Sequence, residues 1–294
     1  MSVDSVLDLV GNTPVVKIRS LVGENDATVL AKLERFNPSG SVKDRVVKYI
    51  IEHAERTGVL AKGQTIVEAT SGNTGISLAM ICAIRGYKVK LVMPESASME
   101  RRKIMLSFGA ELMLVEDEYE AIRIAERLAR ENNYFHLNQF GNPLNVDAHY
   151  QTTGAEIIEQ TGGKIDAFVA GIGTGGTIVG VGRRLKEYRS EIEIIGVEPK
   201  LKTKIEGTLN FTDSGYKPPI LDLNVINEVV RVKDEDALRV TRELAGTEGL
   251  FVGPSSGAAM YAALQKAREL GKGKTVVVIF PDGGERYLST ESFE

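Results

Sequence analysis

Residues 65–85, TIVEATSGNTGISLAMICAIR, decide the fold. The β-branched run at 65–69 predicts a strand, a polar loop with two glycines follows, and residues 74–85 repeat apolar side chains at helical spacing. The same order of strand, glycine-rich loop and helix returns at residues 166–188, DAFVAGIGTGGTIVGVGRRLKEY. This alternation is typical of parallel sheets covered by helices.

The rest of the chain continues the alternation and predicts an α/β fold of two domains. Strands are predicted at 28–34, 65–69, 89–93, 111–115, 134–137, 166–170, 192–198, 226–232 and 275–280. Helices are predicted at 41–57, 74–85, 117–131, 147–160, 176–188, 234–246 and 256–271. We expect an N-terminal domain over 1–145 and a C-terminal domain over 146–294, each a mostly parallel twisted sheet flanked by helices. The first strands, within 12–35, can instead pair with the second domain.

The composition excludes several classes of protein. A net charge of -4 argues against nucleic acid or an anionic membrane surface as the main partner. Cys82 is the only cysteine, which rules out an intramolecular disulfide and fits a reducing cytoplasm. The three histidines have no metal-ligand spacing, so no metal site is expected. The longest apolar run, 78–84, is too short to span a bilayer, so we expect no membrane contact.

The first of four polar loops surrounds Lys43. Residues 37–45, NPSGSVKDR, contain the helix-start signals Pro38, Ser39 and Gly40, which put Lys43 in the first helical turn. A helix N-terminus disfavours an ammonium ion and so lowers the lysine pKa toward the neutral amine that Schiff-base chemistry requires. An ordinary solvated lysine is the alternative.

Two further loops lie at helix starts. Residues 70–75, TSGNTG, follow the strand at 65–69, and residues 253–257, GPSSG, precede the helix at 256–271. Free amides and hydroxyls at a helix start can bind a carboxylate or a phosphate. For both loops, capping residues in an ordinary turn are the alternative.

The fourth loop, residues 171–177 with the sequence GIGTGGT, has two competing interpretations. Its glycines match the dinucleotide fingerprint, and Glu198 ends the next strand, where a ribose-binding acid is expected. However, Thr174 and Thr177 add two hydroxyl donors, which suit a single terminal phosphate at least as well as a pyrophosphate. The loop therefore predicts a phosphate site, and an NAD-binding oxidoreductase that uses Gly171 to Gly176 is the rival interpretation.

Taken in order, the four loops resemble those of the cysteine synthase family (O-acetylserine sulfhydrylases), which are fold-type II pyridoxal phosphate enzymes. The resemblance runs from residues 11–14, GNTP, to residues 284–288, GERYL. It implies a tryptophan synthase β-like fold, an active site in the cleft between the two domains, and pyridoxal 5'-phosphate as cofactor.

The resemblance also implies a role for each site residue. Lys43 forms the Schiff base with the cofactor, Asn73 hydrogen-bonds the phenolic oxygen, and Ser255 faces the pyridine nitrogen. The phosphate is bound by Gly173, Thr174, Gly175, Gly176 and Thr177. The substrate α-carboxylate is bound by Thr70, Ser71, Asn73, Thr74 and Gln139. A neutral hydroxyl at the pyridine nitrogen makes the ring a weaker electron sink than an aspartate would, which favours β-replacement over transamination.

The implied reaction is replacement of the acetoxy group of O-acetyl-L-serine by sulfide, through an α-aminoacrylate, to give L-cysteine. O-phosphoserine or serine as donor, and a cystathionine β-synthase-like activity, stay open. The segment 199–222 contains lysines but no arginine, which disfavours a bidentate phosphate clamp. Its lysines are Lys200, Lys202, Lys204 and Lys217. A noncatalytic sensor is a third class, and it would leave Lys43, Asn73 and Ser255 without a function.

The resemblance finally implies partners. Members of the family are usually homodimers, and some bind the C-terminal tail of serine acetyltransferase in the active site.

Overall fold

The computed structural model describes residues 2–201, 205–213 and 215–290. Lys202 and Lys204 of the segment 199–222 lie outside these ranges. The strands are β1 Val15–Lys17, β2 Thr28–Leu33, β3 Thr65–Ala69, β4 Lys88–Pro94, β5 Glu111–Val115, β6 Phe135–His136, β7 Ala167–Gly171, β8 Glu193–Pro199, β9 Glu228–Val232 and β10 Thr275–Phe280. The α-helices are α1 Lys43–Arg56, α2 Asn73–Arg85, α3 Met99–Ser107, α4 Glu118–Asn132, α5 Leu144–Ala148, α6 Gly154–Thr161, α7 Gly176–Tyr188, α8 Asp234–Glu248 and α9 Pro254–Leu270.

The strands form two sheets. One has six strands in the order β1-β2-β10-β7-β8-β9, parallel except for β1, and the other has four parallel strands in the order β5-β4-β3-β6. Central strands are buried along most of their length, as parallel sheets covered on both faces require. The predicted mixed α/β fold with parallel sheets flanked by helices is confirmed. The domain boundary at residue 145 stays a prediction.

Three elements differ from the sequence prediction by more than two residues at an end. β1 has three residues, too few for a periodic signal, and pairs antiparallel with β2. The sequence does not predict α3, because it is charged on most faces; within it Arg101 and Met105 are buried. The helix predicted at 147–160 begins earlier and contains a π-helical turn, His149–Thr153, between α5 and α6. Turns of this kind often occur at functional sites, because they redirect a side chain within a helix.

A buried ion cluster fixes the N-terminal half of α1. Arg45 Nε lies 2.6 Å from Glu34 Oε2, and Arg45 Nη1 lies 2.6 Å from Glu156 Oε1. Glu156 Oε2 also pairs with the buried Lys32 ammonium group at 2.8 Å. Removing one member of such a cluster leaves an uncompensated buried charge, so the cluster holds the start of α1 in one position. Lys43 lies two residues before Arg45.

The Lys43 loop, the 171–177 loop and the segment after β10 emerge at one edge of the six-stranded sheet. Because β2, β10, β7 and β8 run parallel, the segments that follow them all emerge at the same edge. The carboxyl edge of an open α/β sheet is the usual place for a ligand. Among the described residues, no helix is both long and apolar enough to cross a membrane.

Candidate active site

Lys43 is the first residue of α1, and the segment just before it pairs with Pro281 and Asp282. The backbone N–H of Val42 donates to Pro281 O at 2.9 Å, and Ser41 forms an antiparallel bridge with Asp282. Although Lys43 is partly exposed, burial of its amine lowers the pKa from 10.5 to about 8, and the negative charge of Asp282 opposes this shift. The pKa of Lys43 is therefore lowered, as the sequence predicts, and burial is the main cause. An amine with this pKa is about half neutral at pH 8, so it becomes available as a nucleophile at mildly alkaline pH.

Asn73 begins α2 and lies against Asp282. The Asn73 Nδ2 donates to Asp282 Oδ2 at 2.6 Å, and the Arg286 guanidinium donates to Asn73 Oδ1. Tyr287 OH donates to the same Asp282 Oδ2 at 2.6 Å. The structure therefore joins the Lys43 loop, the 70–75 loop and the segment after β10 at one point.

A chain of hydrogen bonds connects the 70–75 loop to the 171–177 loop. Thr74 Oγ1 donates to Gln139 Oε1 at 2.6 Å. Asn145 Nδ2 donates to Gln139 O at 2.8 Å and to Thr174 Oγ1 at 3.1 Å. Within the 70–75 loop, Thr70 Oγ1 accepts from the amides of Gly72 and Gly75. Loops that follow strands of two different sheets are thus joined by one buried chain of polar side chains.

The 171–177 loop passes too close to its neighbours for any residue other than glycine at two positions. A Cβ at Gly173 would lie 2.8 Å from Gly207 O, and one at Gly176 would lie 1.9 Å from Asn145 Oδ1. Gly175 has φ +91°, a left-handed conformation that favours glycine. α7 begins at Gly176, so the free amides of its first turn lie in this loop.

The remaining site residues lie in the first turns of α7 and α9 and in the loop before α2. Ser255 is buried in the first turn of α9, and a Cβ at Gly207 would lie 3.7 Å from its hydroxyl. Thr177 Oγ1 lies 3.1 Å from His149 Nε2, and burial, reinforced by the charge of Lys43, lowers the pKa of His149 well below its usual range. Ser71 lies in the loop before α2, where its carbonyl accepts from Arg101 at 3.5 Å.

Glu198, the acid of the rival dinucleotide interpretation, is fully buried at the end of β8. Its carboxylate accepts from the amides of Phe211 and Thr212 and from Arg231 Nε at 3.2 Å. Both oxygens are therefore occupied by the chain itself, and Glu198 is not available to a ribose. Within the described residues there is also no cluster of three histidine, cysteine, aspartate or glutamate side chains that could hold a metal ion.

Comparison with known proteins agrees with this geometry. A family model described as "Pyridoxal-phosphate dependent enzyme" matches residues 6–282. The chain belongs to this family. The family predicted from the four loops is thereby confirmed, and so is pyridoxal 5'-phosphate as the cofactor of this pyridoxal-phosphate dependent enzyme.

Individual relatives of this pyridoxal-phosphate dependent enzyme match along its whole length. A cysteine synthase of Staphylococcus aureus is 48% identical over 298 residues, covering 98% of this chain and 96% of the relative. The crystal structure of an O-ureido-L-serine synthase has a TM-score of 0.95 at 38% identity and covers 100% of this chain and 96% of its own. A cysteine synthase of Entamoeba histolytica has a TM-score of 0.92 at 40% identity, with 100% and 91% covered.

The residues present fit pyridoxal 5'-phosphate. The glycine-lined start of α7 provides backbone amides and two threonine hydroxyls for a phosphate, without Cβ atoms to obstruct them. The Lys43 amine, with its lowered pKa, has the chemistry of a nucleophile for an aldehyde.

Sequence reasoning missed several residues at the site. Asp282, Asn145 and His149 join loops that are far apart in sequence; the bond from Asn73 to Asp282, for example, spans 209 residues. The one available signal was the resemblance itself, which included Arg286 and Tyr287 without assigning them a role.

Glu68 forms a hydrogen bond to the backbone of the loop that contains Gln139. It is buried near the end of β3, and its Oε2 accepts from the amide of Asn138 at 2.7 Å. Burial raises the pKa of Glu68 from 4.5 to about 8, although amides of Asn138 and Gln139 oppose this. Between these two pH values the folded protein therefore binds a proton that the unfolded chain has lost, so the free energy of unfolding falls as pH rises through this window.

We expect Glu68→Gln to flatten this dependence. Between pH 5.5 and 7.5, the difference in free energy of unfolding between wild type and Glu68→Gln should change by about 2–3 kcal/mol. Each pH unit across such a window contributes about 1.4 kcal/mol. Urea unfolding of both holoproteins at the two pH values measures it. Glu131→Gln, an exposed position on α4, is the control for loss of charge. Parallel stability curves for Glu68→Gln and wild type would contradict the prediction.

Proposed function

We propose that this enzyme is a cysteine synthase that replaces the acetoxy group of O-acetyl-L-serine with sulfide to form L-cysteine. The observation that carries the proposal is the hydrogen-bonded chain Thr74–Gln139–Asn145–Thr174, which joins a carboxylate-binding loop to a phosphate-binding loop. The near full-length identity to curated cysteine synthases supports the same reaction.

We assign the site residues as follows. Lys43 holds the cofactor covalently, Asn73 donates to its phenolic oxygen, and Ser255 faces the pyridine nitrogen. The phosphate is held by Gly173, Thr174, Gly175, Gly176 and Thr177. The substrate carboxylate is held by Thr70, Ser71, Asn73, Thr74 and Gln139. The structure supports the assignment in two ways: Lys43, Asn73 and Ser255 each lie in the first turn of a helix, and the phosphate residues lie together at the start of α7.

Bound pyridoxal 5'-phosphate supplies an electron sink, which makes the substrate α-proton removable and allows the β-substituent to leave. Lys43 Nζ would take that α-proton, for which a pKa near 8 suits neutral or slightly alkaline pH. The 70–75 loop holds the substrate carboxylate at the start of α2. The neutral Ser255 hydroxyl keeps the ring from becoming a strong electron sink, so that replacement is favoured over transamination.

A product assay with purified protein tests the proposed reaction. Cysteine should form rapidly from O-acetylserine and sulfide, and more slowly from O-phosphoserine and sulfide. Serine with homocysteine should give little cystathionine. Faster turnover of O-phosphoserine, or of serine with homocysteine, would overturn the choice of substrate while leaving β-replacement intact. Cysteine formation from none of the donors would overturn the proposal.

Thr74 provides a test of the carboxylate loop. Thr74→Val keeps the shape of the side chain and removes the hydroxyl that donates to Gln139. We expect KM for O-acetylserine to rise about 10- to 100-fold, because a hydrogen bond to a charged group such as the substrate carboxylate contributes about 1.5–3 kcal/mol. Steady-state kinetics measures it, with Thr74→Ser as the matched control that keeps the hydroxyl. If KM were unchanged in Thr74→Val, Thr74 would have no role in binding the substrate.

We also propose a homodimer that binds the C-terminal tail of serine acetyltransferase, with a cytoplasmic location. The resemblance to the cysteine synthase family supports both the dimer and the binding of the tail. The tail ends in a carboxylate, the group that the 70–75 loop is proposed to bind. The single thiol, Cys82, is buried and suits a reducing compartment. Light scattering tests the dimer, and competition between a tail peptide and O-acetylserine tests the second partner.

A further inference from the structure

Asp282 lies where three helices of the active site begin. It follows β10 and Pro281, and its bridge to Ser41 holds it against the start of α1. Its carbonyl accepts from the Gly253 amide at 3.3 Å, at the N-cap of α9. Its side chain contacts Asn73, the first residue of α2. The residue is 1% exposed.

The two oxygens of the Asp282 carboxylate have different environments. Oδ2 accepts from Asn73 Nδ2 and from Tyr287 OH, each at 2.6 Å. Oδ1 has no hydrogen-bond partner among the described residues, although it is buried. A Cβ at position 253 would lie 2.3 Å from Oδ1, so Gly253 leaves the room that this oxygen needs. A buried carboxylate with an unpaired oxygen costs stability, which points to a role at the site.

The contacts of Asp282 determine the orientation of the Asn73 amide. Its nitrogen faces a carboxylate, and its oxygen faces the Arg286 guanidinium. A flipped amide would place its oxygen against Asp282 and its nitrogen against Arg286, losing both bonds. Because the nitrogen carries two hydrogens and gives one to Asp282, the second is left to donate to a ligand.

Asp282 lies among hydrogen-bond donors and positive charges. Burial raises the pKa of Asp282 above its usual value, and the hydrogen bonds from Tyr287 and Asn73 and the charges of Arg286 and Arg101 offset only part of this shift. The Lys43 amine interacts electrostatically with Asp282 and with His149. Each hydrogen bond donated to Oδ2 favours the ionised carboxylate, and a charged oxygen is the stronger acceptor for Asn73.

We infer that Asp282 is a positioning residue, which acts on the bound cofactor through Asn73 by fixing the amide with its second N–H toward the ligand. The inference rests on the proposed contact between Asn73 and the cofactor, and it does not require that the product be cysteine. Asp282 touches Asn73 and Tyr287, and its effect on the cofactor is therefore indirect.

A double-mutant cycle tests this inference on the holoprotein without substrate. The cofactor dissociation constant is measured by equilibrium dialysis for wild type, Asn73→Ala, Asp282→Ala and the double variant. We expect each single variant to raise this constant about tenfold and the double variant to raise it no further, because both remove the same interaction. Asp282→Asn, which keeps an acceptor oxygen, should stay within about threefold of wild type.

Two outcomes would overturn the inference: an unchanged constant in Asp282→Ala, or the same tenfold loss on adding Asp282→Ala to Asn73→Ala. Circular dichroism establishes that the variants fold, and Asp282→Ser replaces Asp282→Ala in the cycle if the latter is unfolded. The cycle is read without substrate, so a failure to make cysteine would overturn the proposed function without altering this result.

Discussion

Lys43→Ala is expected to lower kcat for cysteine formation by at least about 1,000-fold while leaving the fold intact. The variant loses the covalent anchor of the cofactor and the base for the α-proton together, and a positioned base alone contributes about 100- to 10,000-fold. The measurements are steady-state kinetics and mass spectrometry after borohydride reduction, which should no longer fix the cofactor to the chain.

Lys48→Ala is the matched control for Lys43→Ala, since it removes another lysine of α1 whose amine donates to Leu7 O at 3.0 Å. This control should keep turnover near that of wild type, and reduction should still fix the cofactor. Full activity in Lys43→Ala would contradict the mechanism.

The second large effect is expected at Gly176. The Cβ of Gly176→Ala would lie 1.9 Å from Asn145 Oδ1 and 2.5 Å from its Cγ. Asn145 is buried and bound to Gln139 and Thr174, so it cannot move without breaking the polar chain. Overpacking of this kind costs about 1–3 kcal/mol, which corresponds to about 5- to 150-fold weaker cofactor binding.

Dialysis of the holoprotein measures this loss of cofactor. Gly246→Ala is the control, because Gly246 lies in α8 and no atom of the described residues comes within 4 Å of the place that its Cβ would take. There the added methyl group should stabilise the helix by up to about 1 kcal/mol and leave cofactor binding unchanged. Wild-type affinity in Gly176→Ala would mean that the 171–177 loop does not hold the phosphate in the way proposed.

Most of the fold could be predicted from the sequence because the patterns that indicate strands and helices are local. β3, β5 and β10 have the predicted bounds, since each is a compact apolar or β-branched run that ends at a polar or glycine-containing loop. α7 likewise begins and ends where its glycine-rich loop and helical spacing predicted. α3 could not be predicted, because its burial depends on Arg101 and Met105 packing against distant segments.

The site was predictable where chemistry is encoded within one loop. Lys43 at a helix start and the glycines before α7 are local patterns, and each lies where a ligand-binding group is expected. Asp282 and Asn145 carry no such signal, because their importance comes from partners on other loops. The Thr174 to Asn145 contact exists only after the helix containing Asn145 packs on α7.

The absorbance of the holoprotein is the most direct test of β-replacement on O-acetylserine by this enzyme. We predict that O-acetylserine alone moves the visible band of the bound cofactor, and that added sulfide restores the original band while one cysteine is released per donor consumed. A band that does not respond to O-acetylserine, or that does not return with sulfide, would contradict the account.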